Sequence, residues 1–551
     1  MKITLRILVL VLLYSLSLPS HGQVDTLVEV MKAGNARDIE NDYIAYALAS
    51  KDAALVTKTL VVVGNIGGSK AADFIKRKLS DPRVEVRYTA AFAAGIVGDA
   101  TLFDVLKVAA ASEKIPRVAA RMYHSMGYIT PEAQRPYFAL QLLGTSNPVI
   151  QRGILDGYMQ AIVYSKLKTA DLLYTNFNII LDIAKGAGDE AAAAAYFLGR
   201  VEGLQAELNA SSVIKAINET KSKAARVYLM RVLGRLGGDN SSAIVPFLYD
   251  KFGAIRLEAI RGMGSVRKPE QVVTFQSIAL SDFPVLRKAV IDVFAASDDK
   301  DFMIEGKRLM DRSLADKSIW VQGAALRAIS KISKEAAQNI AKTWYDSGSS
   351  YKKGYAVELL ADSQSYKQDI ETLSQDGYNP YLQSKARQAL GLDELDYGSA
   401  PQPVPPYEDA IRASLSKIKF ETTKGLITVQ LSSETPFTAY NFVQLTQGGV
   451  FDGMLFHRVI GNFVAQAGER ITALHEDWGP IRSEWTDLSH EIGTVGLATN
   501  GKDTGTRQFF FNTGNNRHLN GRYTVFGKVV EGFNVMMNLE EGDSIFRATV
   551  E

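Results

Sequence analysis

One proline-dense segment divides this chain more sharply than any other feature. Pro401, Pro403, Pro405 and Pro406 place four of the 16 prolines within six positions. Proline has no amide hydrogen and locks φ at about −65°, so neither a helix nor a sheet ladder continues through such a run, which favours extended polyproline geometry. Residues 396–414 therefore read as a linker. Before it, residues 23–395 repeat apolar residues at three- and four-residue steps, the period of helices. After it, residues 415–551 switch to short alternating runs with a Lys424-Gly425 turn between the first two, the mark of hairpin strands. A chain of 551 residues is long enough for both parts to fold around cores of their own.

The helical part is weakly self-similar. Asp81-Pro82 leads to Arg87, Ala90 and Gly95, and the same offsets recur at Arg226, Leu229 and Gly234 and at Arg256, Ala259 and Gly264. Arg287, Val290 and Ala295 form a further copy, and Gln322, Ala325 and Ser330 a looser one. Asn147-Pro148 before Arg152 and Asn379-Pro380 before Arg387 extend the series. Equivalent positions lie about 30–40 residues apart, the period of a stacked helix pair. The Asx-Pro pair starts a helix, the small residues allow close helix approach, and the arginine can reach an acidic neighbour in the next unit. The segment resembles the HEAT repeat family, and the resemblance implies an α-solenoid over residues 23–395. The tetratricopeptide signature is missing. A glycine-rich stretch ending Gly67-Gly68-Ser69-Lys70-Ala71 imitates a phosphate loop, but Ser69 and Ala71 replace the glycine and hydroxyl that such a loop needs. A glycine-capped helix end accounts for it.

Composition closes several routes. There is no cysteine, which excludes disulfides, thiolate metal sites and thiol nucleophiles. The 62 basic and 60 acidic residues leave a formal charge of +2, with no global field to hold nucleic acid. Lys2 and Arg6 precede an apolar run from Ile7 to Leu18, and Ser20 and Gly22 stand before a cleavage point ahead of Gln23. That is the layout of a secretory signal, residues 1–22, whose apolar core of roughly 12 residues is short of the ~20 needed to span a bilayer. The expectation is an exported, periplasmic or envelope protein with no membrane span in the mature chain.

The chemistry sits in the C-terminal part. Phe456-His457-Arg458-Val459-Ile460 runs into Phe463-Val464-Ala465-Gln466-Ala467-Gly468. Three more blocks follow: Gly493–Ala498, Gly505–Phe511 and Leu519–Val529. These four blocks, in this order, resemble the cyclophilin family over the last quarter of the chain. The resemblance implies a closed eight-stranded β-barrel and peptidyl-prolyl cis–trans isomerase activity.

It also implies roles. Arg458 would be catalytic, with Gln466 orienting it and holding substrate backbone. Phe463, Val464, Phe510, Leu519 and Tyr523 would hold the proline ring. Ala498, Thr499 and Gln508 match groove positions, and His457 and His518 complete the substrate-binding set. Val464 stands where methionine is usual, Thr499 where asparagine is common and Tyr523 where histidine is common. His518 replaces a tryptophan, a departure that bears on tight cyclosporin binding more than on isomerisation. Rotation about an X–Pro bond breaks amide resonance, and a fixed guanidinium can donate to the nitrogen as it pyramidalises, with no covalent step. His124, His475 and His490 are scattered, so neither a metal nor another cofactor is expected. The partners expected are proline-containing polypeptides, together with an envelope protein on the solenoid. A non-enzymatic scaffold whose barrel only binds proline segments is the alternative, and retention of Arg458, Phe463, Gln466, Phe510 and Leu519 together argues against it.

Overall fold

The computed structural model describes residues 21–163, 172, 174–236, 240–264, 271–297, 299–376, 379–393, 403, 405–469 and 479–551. Residues 1–20 of the expected signal, residues 396–402 and 404 of the expected linker, and His475 lie outside them. Among the described residues no helix is long and apolar enough to cross a membrane.

Up to Ala389 the described chain is mostly helical. Every second helix stacks on the one two before it, so that Val84–Ile96, Pro116–Met126, Pro148–Ile162, Asp189–Leu198, Lys223–Arg235, Gly253–Met263, Pro284–Ala295, Ile319–Ile332, Ser350–Leu360 and Pro380–Ala389 make one continuous row. Intervening helices such as Leu102–Ser112 and Lys334–Ser347 pack against this row. Small residues set the spacing. A Cβ on Gly234 would lie 2.5 Å from the Gly262 Cα, and one on Gly153 2.3 Å from the Ala120 carbonyl oxygen. Side chains of any size would force those helices apart.

A recurring hydrogen bond ties the units together. Arg87, Arg226 and Arg287 each donate to the carbonyl six residues earlier, on Asp81, Thr220 and Ser281. Gln322 does the same to Asp316 at 2.6 Å. In the unit opened by Asn147-Pro148 it is Gln151, not Arg152, that makes this bond, to Thr145 at 3.1 Å. Each bond satisfies a carbonyl in the turn before the next helix, where no intrahelical donor is available. Arg87 and Arg287 also pair with Glu113 and Asp316, at 2.7 Å each. The glycine-rich stretch is a helix end: Ala53–Ile66 stops at Gly67, whose φ of 84° only glycine adopts freely.

The C-terminal part is one antiparallel sheet of eight strands: β1 (Lys417–Thr422), β2 (Gly425–Leu431), β3 (Leu455–Ile460), β4 (Val464–Glu469), β5 (Thr494–Leu497), β6 (Phe509–Asn512), β7 (Val525–Glu531) and β8 (Ile545–Val550), in the order β3-β4-β6-β5-β7-β2-β1-β8. Phe420, Phe442, Phe451, Phe509, Phe511 and Phe526 fill its concave side. The expected closed barrel is not formed as a continuous ladder, and the sheet is a half-barrel. Its end strands β3 and β8 meet only at the Leu455–Ser544 bridge and through bonds such as Ile545 N–H to Met454 O, 2.8 Å. The residues beside Met454, Leu455 and Phe456 are Gly542 to Ile545, ahead of β8 or at its first residue, so the seam between the two edges is short.

The linker is also shorter than expected. Tyr407–Ser414 is a helix lying on Pro436–Gln447, with the Tyr407 and Phe437 rings 6.2 Å apart. Pro406 immediately before it, and Glu408 and Asp409 in its first turn, suit a helix start, which outweighs the extended tendency of the preceding prolines.

The two parts are docked along their length. Asn65 and Trp485 exchange backbone-to-side-chain bonds at 2.9 and 3.0 Å, Arg121 pairs with Asp487, and Tyr128 and Tyr228 donate to the carbonyls of Asn520 and Asn515 at 2.6 Å each. Asn462 donates to Glu258 at 2.9 Å and Tyr355 to Glu541 at 3.1 Å. Successive helices of the row thus hold successive loops of the sheet domain.

Candidate functional site

Directly opposed residues of antiparallel strands project from the same face. Across β3, β4, β6 and β5 one such line runs Arg458, Gln466, Phe510, Gly496. Gly496 is there because of its neighbour: a Cβ would lie 2.3 Å from the Phe510 ring. The line opens onto a cavity of about 420 Å³. Phe463 and Val464 enter it from the start of β4, Ala498 and Thr499 from the end of β5, and Gln508 from just before β6. His518 and Leu519 come from the short 3-10 helix Arg517–Leu519, and Tyr523 from the turn before β7. Val464, Phe510 and Leu519 are buried together as its apolar floor, with Phe463, Ala498 and Tyr523 at the edge.

The polar side is a relay of hydrogen bonds. Gln508 Oε1 accepts from Gln466 Nε2 at 2.9 Å, and Gln466 Oε1 accepts from Arg458 Nη1 at 3.2 Å. The Arg458 guanidinium also lies 5.5 Å from the Phe463 ring centre, a cation–π contact that holds it over the apolar floor. Eleven of the twelve residues assigned from the sequence line this cavity. His457 does not. It is the extra residue of a bulge between Phe456 and Arg458, where the ladder shifts register and the strict alternation of side chains is broken. Burial, and then Lys385, push its pKa down to about 4.

Two supports were not legible in the motif. His490, dismissed as scattered, stacks on Phe510 at 5.6 Å, and its ring nitrogens lie 3.2 Å from the Tyr523 carbonyl and the Asn512 amide. Burial lowers its pKa to about 4, so the ring is neutral at pH 7. The second support is the helical row. His518 stacks between Phe463, at 5.7 Å, and Tyr196, at 6.2 Å. Arg200 donates to the Tyr196 hydroxyl at 2.9 Å, and that hydroxyl lies 2.6 Å from His518 Nδ1. Burial and then Arg200 hold the His518 pKa well below the usual histidine value, so the ring beside the tyrosine hydroxyl is neutral. Arg517 beside it donates two bonds to Asp156, at 2.7 and 2.8 Å, and two to Asp189, at 2.8 and 3.4 Å. Among the described residues no group of three or more His, Asp or Glu is placed to hold a metal ion.

The site therefore places a guanidinium above an apolar slot, braced by a chain of two glutamines. Residues 417–549 match the family described as cyclophilin type peptidyl-prolyl cis-trans isomerase/CLD. Peptidyl-prolyl cis-trans isomerase B of Bacillus subtilis is 40% identical over 119 residues, 21% of this chain and 83% of that protein. A peptidyl-prolyl cis-trans isomerase of Synechococcus elongatus is 37% identical over 134 residues, 24% of this chain and 92% of that one. Peptidyl-prolyl cis-trans isomerase-like 2 of Gibberella zeae is 37% identical over 129 residues, and the chain spans only 22% of its length. The chain belongs to the cyclophilin-type peptidyl-prolyl cis–trans isomerases.

Proposed function

We propose that the whole protein is an exported folding enzyme that isomerises X–Pro bonds in client polypeptides, with its helical row acting as a HEAT-type solenoid that binds clients or an envelope partner. The observation that carries the catalytic reading is the Arg458–Gln466–Gln508 relay over the Phe463, Phe510 and Leu519 floor. The barrier to X–Pro rotation is about 20 kcal/mol because the planar amide is resonance-stabilised. In the twisted state the lone pair that resonance had shared with the carbonyl is localised on the proline nitrogen. Arg458 donates to it, the apolar floor holds the pyrrolidine ring still, and Gln466 keeps the guanidinium aimed. Stabilisation is therefore greater for the twisted state than for either planar one, which is what acceleration requires.

The solenoid reading is supported by the repeated six-residue hydrogen bond and the stacking of alternate helices; the export reading rests on Lys2, Arg6 and the apolar run. Linkage of a client site to an isomerase raises the local concentration of bonds to be turned over. The test is X–Pro exchange measured on the full chain and on Arg458→Ala. A fall in kcat/KM of about a hundredfold or more is expected from loss of one preorganised donor. Equal rates in the two proteins overturn the assignment of Arg458. Cell fractionation with the N-terminal segment intact and deleted tests export.

A further inference from the structure

A second cavity, of about 450 Å³, adjoins the first and lies between the helical row and the β3–β4 turn. Phe463 lines both. His518 of the first cavity stacks on Phe463 and on Tyr196 of the second, with ring centres 5.7 and 6.2 Å apart. From the helices it is lined by Arg200, Arg231, Arg235 and Arg261, against a single carboxylate, Glu258.

That carboxylate is fully engaged. Glu258 takes two bonds from Arg231 at 3.0 Å each, one from Arg261 at 2.8 Å and one from Asn462 at 2.9 Å. Arg200 and Arg235 have no carboxylate partner among the described residues. Arg235 donates to the Gly199 carbonyl at 2.6 Å, and the Arg200 Nε is buried without a hydrogen-bond partner. A space lined by surplus guanidinium groups suits a carboxylate, which they bind through paired, charge-assisted bonds.

We propose that this cavity is a carboxylate subsite of the same groove, so that the enzyme favours prolines lying a few residues from an acidic group in the client. The proposal rests on the reading of the first cavity as the seat of the proline ring. An extended chain advances roughly 3.3 Å per residue, so a residue about three or four positions from the seated proline reaches past the ring stack. The helical row then supplies part of the substrate specificity directly, through side chains that the isomerase domain alone lacks.

The experiment uses the full chain and labelled X–Pro peptides with amidated ends, in which one Glu or one Gln is placed in turn at each of the four positions on either side of the proline. A third set carries Gln throughout and a free C-terminal carboxylate. Affinity is read by fluorescence anisotropy and turnover by exchange NMR. At least one Glu position is expected to tighten binding about five- to tenfold over its Gln counterpart, with the ratio falling as salt is raised. In the Arg200→Gln/Arg235→Gln double variant the ratio is expected to drop below about twofold, and in Arg235→Gln alone, at an exposed position, by about half. A gain with the free acid assigns the subsite to chain ends, and a gain with Glu assigns it to internal acidic residues. Equal affinity for charged and neutral peptides, or a preference that survives both variants, overturns the subsite. Charge preference in binding without turnover overturns the isomerase reading and leaves the subsite standing.

Discussion

Asp156→Asn tests whether the helical row shapes the proline site or merely sits beside it. Asp156 is buried and Arg517 largely so, with side chains 5% and 13% exposed, and they share two hydrogen bonds. Arg152 and Asp189 join them, with Arg152 Nε 2.8 Å from Asp189, so two cations face two anions. The isosteric amide removes one anion and turns N–H donors toward a guanidinium that only donates. Breaking a buried pair by removing one partner costs about 3–5 kcal/mol, and the low end applies because Asp189, half exposed, retains Arg517. A loss of ~3 kcal/mol corresponds to roughly a hundredfold more frequent opening of the Arg517–Leu519 turn. Hydrogen exchange followed by mass spectrometry on the segment around residues 513–523 reads that opening in the full chain. Since His518 and Leu519 wall the proline pocket, kcat/KM is expected to fall by about tenfold in parallel. Arg517→Gln added to Asp156→Asn restores the charge balance, so the double variant is expected to be less destabilised than the sum of the single ones by about 1.5 kcal/mol or more. A folded Asp156→Asn protein whose exchange rises less than threefold, or a pair of variants whose effects simply add, refutes the reasoning.

Other consequences follow from single contacts. Gly496→Ala places a methyl 2.3 Å from the Phe510 ring, and kcat/KM is expected to fall at least tenfold with little change in thermal stability; unchanged kinetics would show that the ring is not held there. Gly153→Ala gains about 1 kcal/mol of helix propensity but drives a Cβ to 2.3 Å from the Ala120 carbonyl, which yields only if helices part, so the melting temperature is expected to drop; a rise would mean the helices slide freely. His490 titrates near 4 when folded and near its ordinary 6.5 when unfolded. Between those values the unfolded chain binds the extra proton, so this residue's contribution of about 3 kcal/mol is present above pH 6.5 and lost as pH falls toward 4. Buried Glu484, raised to about 7, acts in the opposite sense, weakening the fold as pH rises, so the measurement that isolates His490 is the difference in denaturation free energy between wild type and His490→Gln from pH 7 to 4. A pH-independent difference would place the imidazole in water.

Local rules carried the sequence a long way. Helical period, Asx-Pro starts and spaced small residues announce helices whatever surrounds them, because capping and close approach are properties of a few neighbouring residues. The motif from Phe456 to Gly468 placed Arg458, Phe463, Val464 and Gln466 on one hairpin, where register alone brings them together. His457 stays out of the cavity at a bulge that the motif does not announce, because a register shift depends on the partner strand as well as on β3 itself. Strand closure was decided otherwise: the segment from Gly542 to Ser544, and not β8 itself, lies beside β3, and no pattern within either strand records that offset.

What only the tertiary structure decided is the relation between the halves. A proline-rich boundary reads as separation, yet Tyr407–Ser414 folds onto the sheet domain and the helical row grips its loops from Trp485 to Glu541. The contacts that shape the site from outside join residues hundreds of positions apart, such as Tyr196 with His518 and Asp156 with Arg517. Each of those residues, taken singly, is an ordinary tyrosine, histidine or ion pair in the sequence. Their meaning comes from burial against one another, which strips water from the charges and makes their pairing obligatory. The chain determined its elements and its chemistry locally; the packing of one half on the other decided which of those groups face the substrate.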